Sequence, residues 1–348
     1  MLVPGMANHQ EPLNPQSPTE QALEANRSTL WRLEQRAART GVLLPTLSAY
    51  KQRTAGSENP AALLHDLTGA LLAAFDETRQ LIEDRMSARY PEDEIAAGRA
   101  VTNSLRRSAG TNYQSLVTFA IASYLVKGES TWAVAHPVPK EFLSALVINF
   151  DAVAEISNDA QEAPVDGQTV GNPGLTDPAP AREEDEEPLS EAFVIQPDVD
   201  ILLRNLAWSH QRGSSEPILL LSAKTSLVDR AGQAARWKLY FDLASNPCPC
   251  EDCEGCVYKK LGISMKNADA YDIEHGIVTA NIYKYWFRDK RYRKGELASA
   301  QTRSNTGMFD LRLTTRDDEE AETPPGWRQL DVLPDVLSKL SKRHALPT

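Results

Sequence analysis

Residues 192–205 read A-F-V-I-Q-P-D-V-D-I-L-L-R-N, and residues 217–240 read P-I-L-L-L-S-A-K-T-S-L-V-D-R-A-G-Q-A-A-R-W-K-L-Y. Two apolar runs of strand length stand on either side of a polar segment, Q-R-G-S-S at 211–215. A glycine and serines between two such runs are typical of a turn. The pattern therefore predicts a β-hairpin or a close pair of strands, and the rest of the chain is interpreted around it.

Polar side chains occupy regular positions on both predicted strands. Because successive side chains of a strand point to opposite faces, Asp198 and Asp200 share one face, and Ser222 and Lys224 share one face. Pro197 cannot donate a hydrogen bond to a neighbouring strand and is expected at a strand start or a bulge. A carboxylate beside a lysine suits phosphodiester hydrolysis, which needs an activated water and neutralisation of developing charge.

With these residues, the hairpin resembles the active-site hairpin of the PD-(D/E)xK nucleases. The segment T-S-L-V-D-R-A-G-Q-A at 225–234 is similar to the type II restriction endonucleases of that superfamily, and the resemblance covers residues 192–240. It implies an α/β fold with a mixed central sheet flanked by helices. It also implies a homodimer that hydrolyses double-stranded DNA at specific sites with Mg²⁺ and leaves 5′-phosphate ends.

The resemblance also implies catalytic roles for four residues. Asp198 is expected to be the first Mg²⁺ ligand, and the main-chain carbonyl of Ala223 the second, since Mg²⁺ prefers oxygen ligands and retains several waters. Lys224 is expected to position or activate the attacking water and to offset phosphate charge. Ser222 is part of the catalytic motif S-x-K.

One position departs from the usual motif, because Ser222 stands where most family members have an acidic residue. Some enzymes that cut CCGG-type sites share S-x-K and recruit a glutamate from the next helix, but that offset falls here on R-W-K at 236–238. The remaining metal ligand is therefore unassigned. Asp200 and Asp229 are candidates, and Gln233 is a weaker one.

Asp229 and Arg230 are predicted to open the helix after the lysine. In the families that read CCGG and CCNGG, an acidic–arginine pair at this place contacts base edges, and Gln233 lies one turn further on. Arginine can bond O6 and N7 of guanine, and aspartate can accept from N4 of cytosine. The alternative is that Asp229 caps the helix while Arg230 is solvated.

The composition is that of an ordinary globular chain, with 348 residues, 41% hydrophobic and 24% charged. The sequence has no apolar run long enough for a membrane span, and residues 1–16 lack the pattern of a signal peptide. A cytoplasmic protein is therefore expected. The net charge of −11 is unevenly distributed: residues 192–316 hold 18 Lys and Arg against 14 Asp and Glu. Such segregation allows a locally positive DNA surface on an acidic protein.

The first part of the chain has helical patterns and no catalytic motif. Ser17 followed by Pro18 predicts a helix start, with apolar spacing up to Gly41. A second predicted helix opens at Asn59 and continues with apolar spacing to Ile82. We predict a helical N-terminal region over residues 1–95 and a catalytic and DNA-recognition domain over residues 96–348.

A further helix is predicted where residues 113–124 place apolar side chains on one face. In many restriction endonucleases such a helix precedes the catalytic sheet, and some members place an acidic ligand on it. Gln114 has the comparable position here, although the simpler interpretation is a glutamine that faces solvent. Arg106 and Arg107 could contact phosphates, with a solvated surface as the simpler interpretation.

Two later segments have distinctive compositions. Residues 158–190 contain prolines, glycines and the run E-E-D-E-E, which predicts an acidic, Pro-rich loop. All four cysteines stand in C-P-C-E-D-C-E-G-C at 248–256. For Cys248, Cys250, Cys253 and Cys256 a structural Zn²⁺ site is favoured in a cytosolic protein, with an iron–sulfur cluster or free thiols as alternatives.

A basic and aromatic segment, Y-K-Y-W-F-R-D-K-R-Y-R-K at 283–294, is predicted to contact the DNA backbone. The alternative is a strand with core aromatics followed by a solvated turn. Residues 308–313 predict another strand, and residues 333–346 a short amphipathic helix. The predicted contact residues are Arg288, Lys290, Arg291, Arg293 and Lys294, with Arg303 downstream.

Two other functions fit the sequence. The first is a repair or methyl-directed nuclease of the same superfamily. The second is a DNA-binding protein without catalysis, built on a degenerate nuclease core, and the missing second carboxylate favours it.

Overall fold

A computed structural model describes residues 16–150, 193–195, 197, 199–208, 215–225, 231–245, 263–265, 267, 270–280, 311–315 and 327–343. The chain divides into two compact units. The first comprises Met1–Pro139, Val199–Ala235 and Ala270–Thr348, and the second comprises Lys140–Asp198 and Arg236–Asp269. The domain boundary predicted at residue 95 stays a prediction.

The chain has a mixed α/β composition, with five helices before the first strand and most strands in its second half. The helices are α1 (Pro18–Thr40), α2 (Leu44–Thr54), α3 (Leu67–Ala73), α4 (Phe75–Arg89), α5 (Glu94–Lys127), α6 (Lys140–Ala145), α7 (Ala231–Ser245) and α8 (Leu333–Arg343), with 3₁₀ turns at Pro60–Leu64 and Leu330–Val332. The strands are β1 (Trp132–Ala135), β2 (Ile148–Phe150), β3 (Phe193–Ile195), β4 (Ile201–Asn205), β5 (Glu216–Lys224), β6 (Ile263–Met265), β7 (Tyr271–Thr279), β8 (Leu311–Thr314) and β9 (Arg328–Gln329).

The first unit holds a six-stranded mixed sheet in the order β1-β4-β5-β7-β8-β9. Strand β4 runs antiparallel to both of its neighbours, β1 and β5, whereas β5, β7, β8 and β9 run parallel to one another. The predicted strand pair is confirmed, because Ile201 of β4 stands opposite Leu221 of β5. All nine residues of β5 are buried, as expected for a continuous apolar run in the middle of a sheet.

One face of this sheet packs against helices of the same unit. Leu219, Leu221 and Ala223 of β5 share a core with apolar residues of α5, among them Leu116 and Ile121, which are completely buried. The predicted apolar face of α5 is therefore confirmed. Its burial removes large side chains from water and holds the helix against the sheet.

Helix α1 begins and ends as the sequence predicts. Ser17 and Glu20 form a capping box at its start, in which the Ser17 Oγ accepts from the Glu20 N–H at 3.3 Å. Gly41 ends the helix at a φ of +69°, a left-handed conformation that favours glycine. The second predicted helix is interrupted: residues 60–89 form a 3₁₀ turn, α3 and α4, and Asp66 directly before α3 has a φ of +48°.

Asn26 of α1 protects the free edge of the sheet. Its side-chain Nδ2 donates to the carbonyl of Trp132 at 2.9 Å, and its Oδ1 accepts from the N–H of Val134 at 2.9 Å. Thr29 adds a third bond, from its hydroxyl to the Val134 carbonyl at 3.1 Å. These side chains satisfy edge groups of β1 that a further strand would otherwise bond, so α1 blocks edge-to-edge association.

We expect Asn26→Ala to lower the free energy of unfolding by about 2 kcal/mol, because it leaves a buried carbonyl and a buried N–H of β1 without partners. Urea denaturation measures the loss, and sedimentation at increasing concentration detects association through the opened edge. Asn103→Ala, on an exposed position of α5, is the matched control. Equal stability of the two variants would contradict the edge-protecting role.

The second unit contains a three-stranded antiparallel sheet in the order β3-β2-β6. Most of α7 belongs to this unit, and Trp237 and Phe241 are buried on it. Within the parts of the chain that the structure describes, no helix has the length and apolar character needed to cross a membrane.

Candidate active site

The candidate site lies in the first unit, where β4 begins and β5 ends. Asp200 immediately precedes β4, and its N–H donates to the carbonyl of Leu221 at 3.2 Å. Lys224 is the last residue of β5. The antiparallel register therefore brings the start of one strand beside the end of the other, and joins two residues that are 24 positions apart.

The Asp200 carboxylate accepts three hydrogen bonds. Its Oδ2 accepts from the Lys224 Nζ at 3.0 Å and from the Ala223 N–H at 2.8 Å, and its Oδ1 accepts from the Gln114 Nε2 at 2.6 Å. The side chains of Lys224 and Asp200 are 3% and 9% exposed. A buried ion pair persists only when further hydrogen bonds satisfy its charges, and Ala223 and Gln114 supply them here.

The main-chain carbonyl of Ala223 also points towards this group. The N–H and the C=O of one strand residue face the same neighbouring strand. Since the Ala223 N–H donates to Asp200, the Ala223 carbonyl is directed to the β4 side as well. The Asp200 carboxylate thus lies beside the Lys224 ammonium, and the Ala223 carbonyl faces the same side of β5.

Ser222 lies on the same face of β5 as Lys224 but has a different partner. Its Oγ and the Nε2 of His275 on β7 are 3.1 Å apart, and both residues are completely buried. The position that holds an acidic residue in the usual motif is therefore occupied by a hydroxyl within a buried hydrogen bond. No pattern in the sequence predicts this pair, because it depends on the parallel register of β5 and β7.

Gln114 does not face solvent, and the simpler interpretation of this residue was wrong. It is half-buried on α5, and its amide reaches the Asp200 carboxylate across 86 positions of sequence. The apolar face of α5 explains the contact: Tyr113 and Leu116 anchor the helix on the sheet, and Gln114, between them in sequence, reaches the start of β4.

His136, which had no predicted role, adds a contact to the backbone of Asp200. The ring Nδ1 lies 2.8 Å from the Asp200 carbonyl oxygen, and a carbonyl can only accept, so Nδ1 carries the proton. Burial lowers the pKa of the imidazole, and the nearby positive charge of Arg36 lowers it further, against the opposing effect of Asp200. His136 is therefore neutral at physiological pH.

This depressed pKa predicts a loss of stability in acid. Below an unfolded pKa of about 6.5 the unfolded chain binds a proton at His136 that the folded chain resists, so stability falls as pH decreases through that value. Between about pH 6.5 and 5.5 we expect a loss of at most about 1 kcal/mol that His136→Asn lacks. Urea denaturation of both proteins across this range measures it, and parallel pH curves would contradict it.

Many predicted site residues lie outside the described part of the chain. For these residues the sequence predictions stay predictions. Gln233 belongs to α7, but its side chain is not described. Among the described residues, no three His, Cys, Asp or Glu side chains form a metal-binding group. The residues outside are Asp198, Asp229, Arg230, Cys248, Cys250, Cys253, Cys256, Arg288, Lys290, Arg291, Arg293, Lys294 and Arg303.

The donor chemistry of the described site fits a hard divalent cation. Asp200 offers a carboxylate and Ala223 a carbonyl, which are the oxygen ligands that Mg²⁺ takes together with waters and substrate phosphate. Comparison with known proteins adds no family: no protein-family model matches the chain. No curated protein matches it either.

Proposed function

We propose that this chain is a Mg²⁺-dependent, site-specific endonuclease of double-stranded DNA, of the type II restriction class and with a PD-(D/E)xK-like core. The observation that carries the proposal is the contact between the Asp200 carboxylate and the Lys224 ammonium at the junction of β4 and β5. The mixed sheet, in which an antiparallel pair adjoins parallel strands, supports the same family.

The residues of the site have distinct roles in this reaction. Asp200 and the Ala223 carbonyl would hold Mg²⁺, with Asp198 as a further ligand, and the ion would supply a more acidic water and stabilise charge on the phosphate. Lys224 orients the attacking water by donating a hydrogen bond, and its positive charge offsets the negative charge of the phosphate. Gln114 fixes the orientation of the Asp200 carboxylate by donating to Oδ1.

The remaining parts of the proposal rest on the sequence. The resemblance supplies a homodimer on palindromic sites and base contacts by Asp229 and Arg230. A cytoplasmic location and a structural Zn²⁺ held by the cysteine segment at 248–256 rest instead on the sequence patterns alone. A repair or methyl-directed nuclease with the same core would use the same catalytic residues but would not produce a fixed set of fragments.

A second candidate function is DNA binding without catalysis. It is favoured by Ser222, whose hydroxyl contacts the buried His275 at the position where a second carboxylate is usual. A degenerate core of this kind would still bind duplex DNA through its basic surface. It would do so with Ca²⁺ present and would leave the DNA intact when Mg²⁺ replaced Ca²⁺.

Incubation of the full chain with unmethylated phage DNA and Mg²⁺ tests the proposal. Discrete fragments with 5′-phosphate ends are expected, and their ends give the recognition site. A smear of products would favour a nuclease without a fixed site. Intact DNA across several substrates, in Mg²⁺ and in Mn²⁺, together with binding in Ca²⁺, would favour the binding protein.

A further inference from the structure

The first half of α5 is a cationic surface that the core does not use. Buried residues of this helix begin at Asn112, so residues 94–111 contribute no buried side chain. No acid occurs from 95 to 127, although the chain as a whole has 48 Asp and Glu among 348 residues. On a protein of net charge −11, an exposed helix segment without acids is a feature that requires an explanation.

Arginine, asparagine and glutamine side chains form a row along this helix. Arg99, Asn103 and Arg107 follow one another at intervals of four residues, and Gln114 lies seven beyond Arg107, so all four are on one face. The first three are exposed and Gln114 is half-buried. We call this row the arginine face of α5. It spans about 22 Å, the axial length of about six phosphates on one DNA strand.

This face is exposed, and no described acidic residue neutralises its arginines. Arg99 and Arg107 form no ion pair with any residue that the structure describes, whereas Arg79 on the adjacent helix α4 is paired with Glu83 at 2.6 Å. Gly110 also lies on this face, and a Cβ atom built there would have no neighbour within 4 Å. A ligand can therefore approach the helix backbone closely.

We propose that the arginine face of α5 binds the phosphate backbone of the duplex that is cleaved at the Asp200–Lys224 site. The inference rests on the proposed function and adds the surface that directs the DNA substrate to the Asp200–Lys224 site. Gln114 joins the two, because it ends the row and donates to the Asp200 carboxylate at 2.6 Å. A strand whose phosphates follow Arg99 and Arg107 is thereby directed to the catalytic lysine.

Charge argues against a second copy of this chain as the occupant. In a two-fold symmetric dimer the same face would meet itself, which would bring arginines against arginines with no acid to offset them. Duplex DNA, in contrast, presents a dense row of negative charges, and arginine forms bidentate hydrogen bonds with phosphate. The observed composition is therefore complementary to nucleic acid.

The test compares Arg99→Gln/Arg107→Gln with Arg27→Gln/Arg39→Gln, which removes two exposed arginines from α1. Affinity of the full chain for a duplex is measured with Ca²⁺ in place of Mg²⁺ at several salt concentrations. Loss of two phosphate contacts should lower the salt slope by about 1.8, so between about 50 and 200 mM salt the wild type should lose about 12-fold more affinity than the α5 variant. The α1 variant should keep the wild-type slope.

Each other outcome overturns the inference. An unchanged slope in the α5 variant, or equal losses in the two variants, would show that this face makes no specific backbone contact. A change in sedimentation without a change in slope would identify an interface between copies of the chain. Wild-type protein that binds no duplex at all would remove the proposed function as well, whereas wild-type cleavage with an unchanged α5 slope would remove only this inference.

Discussion

Asp200→Asn is expected to lower the rate of DNA cleavage in Mg²⁺ by about 10³-fold or more, while DNA binding in Ca²⁺ persists. The substitution keeps the shape of the side chain but removes its charge. It also places an NH₂ group where an oxygen accepts hydrogen bonds from other residues. Single-turnover cleavage in Mg²⁺ measures the rate, and a duplex-binding assay in Ca²⁺ measures the affinity of each protein for DNA.

Asp198→Asn is the matched control for this prediction, because both aspartates precede β4. Only Asp200 is described in contact with Lys224, so Asp200→Asn should have the larger effect. If Asp198→Asn abolished cleavage while Asp200→Asn remained active, the contact described here would have a structural role alone, and the catalytic carboxylate would be Asp198.

The strand pair at the centre of the site could be predicted from sequence because its signals are local. The apolar runs within 192–205 and 217–224 are long enough for strands, and the turn residues between them are distinctive. Only 201–205 of the first run pair with β5, whereas 193–195 form β3 in the three-stranded sheet. The start of α1, strand β8 and the amphipathic helix α8 had similar local signals. All of these elements occur in the structure near their expected positions.

The contacts within the site could not be predicted, because they depend on register and on distant segments. Alternation of side chains puts Asp198 and Asp200 on one face and cannot choose between them. Gln114 reaches Asp200 from 86 residues away, through the packing of α5 on the sheet. Strand β1 has four residues and no clear periodicity, and it depends on β4 and on Asn26 for its hydrogen bonds.

A second ion pair connects β4 and β5 at the end of the strand pair opposite Asp200 and Lys224. The Arg204 Nε and Nη2 donate to the two carboxylate oxygens of Glu216 at 2.7 and 2.9 Å. The Glu216 side chain is 3% exposed and that of Arg204 is 41% exposed. The hydrogen bond to Glu216 raises the pKa of Arg204, so the guanidinium stays charged.

We expect Arg204→Met to lower the free energy of unfolding by about 3 kcal/mol, because it leaves the Glu216 carboxylate buried without its charged partner. This value is at the low end of the range for buried pairs, since Arg204 is partly exposed. Urea denaturation measures the change. Arg79→Met is the control, because Arg79 pairs with Glu83 at 2.6 Å on an exposed helix surface, where such pairs contribute little.

The double variant Arg204→Met/Glu216→Leu separates burial from charge. If the loss in Arg204→Met arises from an uncompensated buried carboxylate, replacement of both partners by apolar residues should recover most of the stability. If the double variant were as unstable as the single one, the aliphatic packing of Arg204 across β4 and β5 would be the dominant contribution instead. Equal stability of Arg204→Met and Arg79→Met would contradict the burial of Glu216.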